Sequence, residues 1–582
     1  MIDGTSADDT INGQIVTNEA NGNLVDSFQS VDIISGGEGQ DTLEAQTSGN
    51  TIGASIDSVE RIEMRAFGNG GLNLANTNGV ETVVNSGSIA TLNFTNQSEN
   101  VDLVVENVNN QTTTLSYSDS ANTGLDDTQN LTLDNVTNQG VITVTGTDDI
   151  ETLSITASGS GSRVDLGGTA LDGTETVNIS GDQDLDFDDT DNTNAMSAIK
   201  TVDASGYTGN LTADLSNGGA NNLDITSGAG DDSFTVVNLN KDDSIDLGDG
   251  EDKLTVRVAD AVSNSAAIAL AGVETVEFDL NTDNDDAEED STFNFAGSDS
   301  LSTIQVGAST AATAANEQQV SVTQLGSSFS TLELNGDGAT ADESINDTVL
   351  SFASGVVSGS DDSVTVNVTN TDANGNLINS TDGVQLNASV TVNAVENITL
   401  STDELHADTN ASTQDGGLAM DLTANALQTL TIESETLVDL SGTALDASVK
   451  TVNAADANGG VLLDMTNAAD ADTTSGKSLT VTTGDGADTV NGLNGLVATT
   501  VTTNGGADSV TITDADNSLA GDQTIDTGAG DDTITLTSVQ DASQSVEVTT
   551  GAGSDTVTVY GSAAGNATDL NNTITDFTAG NG

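Results

Sequence analysis

Short runs in which apolar and polar residues alternate recur along the whole chain, and clusters of Gly, Asn, Asp and Ser separate them. Residues 101–108 (VDLVVENV), 140–146 (GVITVTG), 152–159 (TLSITASG) and 363–370 (SVTVNVTN) are examples. A period of two places one set of side chains on one face, so each run predicts a short half-buried strand and each cluster a turn. A period of 3.6 is hard to find, and the Ala-rich stretch 308–315 predicts one short helix. Proline is absent and glycines number 61, which suits a chain of strands and turns.

Two internal repeats lie on this background. The first is a strand signature, apolar–Glu/Lys–Thr/Asn–apolar, seen as VERIEM from Val59, VETVVN from Val80, IETLSI from Ile150 and TETVNI from Thr174. It returns as IKTVDA from Ile199, VETVEF from Val273, VENITL from Val395 and VKTVNA from Val449. The second is a turn, G-x-G-x-D-x-apolar. Its copies carry Gly37, Gly39 and Asp41; Gly228, Gly230, Asp231 and Asp232; and Gly248, Gly250 and Asp252. Further copies carry Gly484, Gly486 and Asp488; Gly528, Gly530, Asp531 and Asp532; and Gly551, Gly553 and Asp555. Degenerate copies begin at Asn504 (with Gly506 and Asp508), Ser6 and Gly359. Motif aspartates recur at intervals of 20 (Asp232 to Asp252), 20 (Asp488 to Asp508), 24 (Asp508 to Asp532) and 23 (Asp532 to Asp555). A nearly constant step predicts one motif per coil of an all-β, parallel β-solenoid of the β-helix or β-roll kind.

Composition narrows the picture. Hydrophobic residues make up 35% and aromatics 2%, with no Trp, so the core is a thin one of Leu, Ile, Val and Ala. Acidic residues number 92 against 9 basic ones, a net charge of −83, and without neutralisation such a balance favours disorder. Nucleic acid and anionic membranes are excluded as partners, because both require a basic face. With no cysteine, disulfides and zinc–thiolate sites are excluded too, and no apolar run is long enough to predict membrane insertion.

The Gly-Asp turn points to multiple Ca²⁺ ions. Glycines permit conformations that aim carbonyl oxygens at a cation, and the Asp supplies charge. One turn offers too few oxygens for the 6 to 8 that Ca²⁺ takes, so a site needs the turn stacked above or below, about 4.8 Å away. Mg²⁺ fits less well, since it demands near-ideal octahedral geometry. The acidic run 283–291 reads as a solvated loop.

These residues resemble RTX-type calcium-binding proteins, and within them the surface-layer (S-layer) proteins of Gram-negative bacteria. Three passages carry the likeness: GTSADDTINGQ with DSFQSVDIISGGEGQDTLEAQTSG near the start, IKTVDASGYTGNLTADLS followed by LDITSGAGDDSFTV, and the ending NTITDFTAGNG. The resemblance implies a right-handed solenoid, calcium-driven folding, secretion by a type I route without an N-terminal signal peptide, and self-assembly into a lattice at the extracellular cell surface. It also implies that cell-surface polysaccharide is held by a region outside this chain.

Three parts are expected: an N-terminal solenoid arm over 1–280 with calcium turns near 37–43 and 228–254, a central β-rich segment over 281–400, and a C-terminal calcium-binding solenoid over 401–582. No catalytic role is expected. The only histidine, His406, sits in the polar segment STDELHADTN, and no G-x-S-x-G elbow surrounds any serine. A calcium-dependent adhesin or biofilm-matrix protein remains the alternative to a structural lattice.

Overall fold

Register, not local propensity, makes this architecture. In the computed structural model the strands of the long sheets pair in parallel with the equivalent strand one coil later, so Thr42–Thr47 lies on Arg61–Ala66 with Leu43 opposite Ile62 and Ala45 opposite Met64. The result is an all-β solenoid of about 18 turns. The structure describes every residue outside 21, 120, 139, 189–196, 217–221, 259–260, 281–289, 309–317, 337–341, 371–384, 405–416, 470–476, 495–496, 514–520, 538–544, 561–571 and 577–582. No helix occurs among the described residues. The expected helix at 308–315, the acidic run at 283–291 and His406 lie almost wholly or wholly outside them, and Ala308 itself makes an isolated bridge to Ile345.

The chain forms two compact units, Met1–Arg257 with Ala269–Glu274, and Val258–Ile268 with Thr275–Gly582. The first is built on two long sheets. One starts Thr10–Gly13, Thr42–Thr47, Arg61–Ala66, Thr82–Ser86, and the other starts Thr51–Ile52, Gly70–Asn73, Leu92–Gln97, Thr113–Tyr117. Its opening coils have a third side, the short sheet Ile2–Asp3, Ile33–Ser35, Ser55–Asp57, Thr77–Asn78. An antiparallel hairpin, Ile15–Thr17 with Leu24–Asp26, interrupts the first coil.

The second unit repeats the scheme. There Ser509–Thr513 lies on Thr533–Thr537, which lies on Thr556–Tyr560, with Val510, Ile534 and Val557 in one file.

Alternation decides what is buried. Leu43, Ile62, Val83 and Leu103 form one fully buried file, and Leu72, Phe94 and Leu115 form another from the other long sheet. Each such side chain contributes about 1.5–3 kcal/mol on leaving water. The expected thin aliphatic core is therefore present. It thickens in the second unit, where Phe278 and Phe293 stand 4.6 Å apart with Phe295 at 6.4 and 6.3 Å from them.

Buried polar groups are drawn into the ladder. The Tyr117 hydroxyl donates to Gln129 at 2.7 Å, and the Gln129 amide donates to the Val101 carbonyl at 2.9 Å. Burial pushes the Tyr117 phenol well above its ordinary range, so it stays a neutral donor.

Candidate functional site

The Gly-Asp turns stack directly on one another, and the stacking itself demands glycine. Gly506 has φ +126°, and a Cβ there would sit 1.9 Å from the Gly486 carbonyl oxygen of the preceding coil. Gly528 has φ +79°, and its Cβ would sit 1.8 Å from the Asn504 oxygen. The G-x-G pattern is thus a requirement of close backbone approach, whether or not a cation is bound.

The motif aspartates turn inward. Asp41, Asp232, Asp252, Asp488, Asp508 and Asp532 are all 1–2% exposed. Each uses Oδ1 to accept a backbone N–H from the coil before it. Asp488 N donates to Asp508 at 2.9 Å, Asp508 N to Asp532 at 3.0 Å, and Asp532 N to Asp555 at 3.1 Å. In the first unit Asp9 N donates to Asp41 at 2.7 Å and Asp232 N to Asp252 at 2.7 Å. The column then begins above the motifs, since Leu211 N donates to Asp232 and Val461 N to Asp488, each at 2.8 Å.

The same column joins the two sequence repeats. Asp41 N donates to Glu60 at 2.8 Å, Asp127 N to Glu151 at 2.8 Å, Asp252 N to Glu274 at 2.9 Å, and Asp362 N to Glu396 at 3.1 Å. The Glu of V-E-T and the Asp of G-x-G-x-D therefore occupy one structural position. Sequence reasoning treated them as separate signatures. The shared signal was their place, one residue before the strand that carries the next inward apolar side chain.

The second carboxylate oxygen faces the interior. Ser227 and Thr483, five residues before Asp232 and Asp488, donate their hydroxyls to Oδ2. Thr503 and Thr527 hold the equivalent places before Asp508 and Asp532, and bond onward to the carbonyls of Thr527 and Thr550 at 3.3 and 3.2 Å. Oδ2 of Asp41, Asp252 and Asp532 is buried with no hydrogen-bond partner. This inner Ser/Thr was not singled out from the sequence, although it stands immediately before the first glycine of several copies.

The neighbouring aspartates Asp231 and Asp531 are exposed and bond the other way. They accept N–H groups from the following coil, Glu251 at 3.1 Å and Ser554 at 2.8 Å. Asp555, at the last described motif, is half-buried.

Burial and neighbouring charge disturb the column's acidity. Asp252 is pushed up to about 7, first by burial and then by the charges of Asp232, Glu274 and Asp231. Asp488 is also pushed up to about 7, by burial and then Asp508 and Asp485, and Asp508 to about 6, by burial and then Asp532. Burial raises Asp232 as well. Two carboxylates one coil apart, about 5 Å, repel by on the order of 3 kcal/mol at an effective dielectric of about 20.

These residues fit a cation in one respect. An orphaned buried carboxylate oxygen calls for a proton or a positive ion, and the stacked glycine turns bring main-chain carbonyls close by. Among the described residues no three acidic or histidine side chains converge as a ready-made metal cluster. A cation here would draw on one carboxylate per coil and on backbone oxygens. No known family's sequence profile matches the chain, and no curated protein matches it either.

Proposed function

We propose that this chain is a structural protein, a calcium-dependent secreted solenoid that self-assembles into a surface lattice and performs no catalysis. The observation that carries the reading is the buried aspartate column, whose unpartnered oxygens and raised pKa values mark carboxylates that ionise in place only when a positive ion compensates them. Ca²⁺ would be held by Asp41, Asp232, Asp252, Asp488, Asp508, Asp532 and Asp555 with carbonyls of the paired glycines. When bound, it supplies the positive charge that lets these carboxylates stay ionised while buried. The net charge of −83 supports the same reading, since two copies approach each other only if that charge is offset.

The test is circular dichroism and negative-stain microscopy of the purified chain across a calcium titration, with magnesium as control. β-Structure and ordered sheets that appear together only with calcium support a lattice. Folding into dispersed monomers points to the adhesin or matrix reading instead. Full folding in chelator removes the calcium requirement.

A further inference from the structure

We propose that the outer face of the opening coils is a binding site for a neutral oligosaccharide. The inference stands apart from the lattice reading and needs neither calcium bridging nor assembly. A groove of about 530 Å³ lies on the sheet formed by Thr10–Gly13, Thr42–Thr47, Arg61–Ala66 and Thr82–Ser86. That volume falls within the range of small-ligand sites.

Strand register builds the groove floor. Gln46 stands beside Arg65, and Glu44 beside Glu63, each pair one coil apart. All four side chains line the groove, along with the exposed Ile89.

Arg65 is the distinguishing residue. The other three arginines are paired with carboxylates: Arg61 with Glu63 at 3.8 Å, Arg163 with Asp186 at 2.9 Å and Arg257 with Asp214 at 3.2 Å. Among the described residues Arg65 forms no ion pair, although the chain carries 92 acidic residues. Its guanidinium lies 4.8 Å from the centre of the Phe67 ring, which is 42% exposed. A ring beneath the guanidinium fixes its plane and leaves its N–H fork free to donate.

The chemistry selects the ligand. A planar guanidinium donates to adjacent hydroxyl oxygens, Glu44 and Glu63 accept hydroxyl protons, and the Gln46 amide, whose Oε1 already accepts from Ile15 N at 3.3 Å, donates through its NH2. Ile89 offers an apolar edge to ring C–H groups. Vicinal hydroxyls on a sugar match this set. Glu44, with Glu63 already shared with Arg61, stands beside one free guanidinium on a strongly negative chain, and that chain-wide charge repels an anionic glycan.

The probes are maltohexaose, cellohexaose, laminarihexaose and mannohexaose, titrated by calorimetry and saturation-transfer NMR into the full chain, with polygalacturonate as the anionic control. At least one neutral hexasaccharide is expected to bind with a Kd of about 1 mM or tighter. Arg65→Ala is expected to weaken that binding at least tenfold with an unchanged circular dichroism spectrum, and Arg163→Ala to leave it unchanged. Arg65→Lys, which keeps the charge but loses the fork, is expected to recover affinity only in part. No binding to any neutral hexasaccharide, binding to polygalacturonate alone, or equal affinity in Arg65→Ala overturns the proposal. All readouts are taken on dispersed protein, so loss of ordered sheets alone leaves the result intact.

Discussion

The backbone N–H of Asp508 donates to Oδ1 of Asp532, 24 residues on in sequence and one coil on in space. The bond makes each buried carboxylate a structural part of the preceding coil. Replacing Asp532 with Ala leaves that buried N–H without an acceptor and is expected to destabilise the second unit by about 1–3 kcal/mol. Asp532→Asn keeps the acceptor and removes the charge, so it is expected to lose less stability than Asp532→Ala. Urea unfolding followed by circular dichroism compares the three proteins.

Acidity follows from the same column. Asp252, Asp488 and Asp508 are held at about 7, 7 and 6, above the ordinary aspartate value of 3.8. Between pH 4 and 7 the folded chain therefore keeps protons that the unfolded chain has released. Stability must fall as pH rises through that window and level off above it. In chelator the folded fraction is expected to be greater at pH 4.5, where protons neutralise the column, than at pH 7.5, and saturating calcium is expected to remove the difference. A folded fraction that rises across this range in chelator contradicts the assignment.

Glycine stacking can be tested without reference to any ion. Gly528→Ala places a methyl group where the Asn504 oxygen already lies 1.8 Å away, at φ +79°. It is expected to cost more than about 2 kcal/mol. At Gly206 a methyl group would meet no heavy atom within 4 Å, so Gly206→Ala is expected to change stability by no more than about 1 kcal/mol. Thermal melts of the two variants give the comparison.

The aromatic cluster sets the scale for the core. Phe293 is fully buried, with Phe278 at 4.6 Å. Phe293→Ala is expected to cost about 3–5 kcal/mol, and Phe293→Leu much less. Chemical denaturation followed at β-sheet wavelengths measures both.

Much of the fold is legible in the sequence because two periods coincide. Alternation within strands places Leu43, Ile62 and Val83 inward, and the 20-residue step from Asp232 to Asp252 is the step that pairs Ser233–Val237 with Lys253–Arg257. The equivalence of Glu60 with Asp41 was hidden, because chemically different residues share a place only once register is known. The hairpin at Ile15–Thr17 and Leu24–Asp26 also went unread, although NEANGN between its strands is a turn signal. Arg65 carries no motif at all. Its significance comes from what surrounds it in space and from the carboxylates it does not meet.

The carboxylate column also gives the molecule a grammar of dependence. A motif coil cannot complete its own hydrogen bonding, because the acceptor for its aspartate N–H arrives with the coil that follows. Asp532 N–H depends on Asp555 for its acceptor, and Asp508 N–H on Asp532. Along this buried column each coil therefore completes the hydrogen bonding of the one before it, so the loss of one coil leaves a buried N–H unsatisfied in its predecessor.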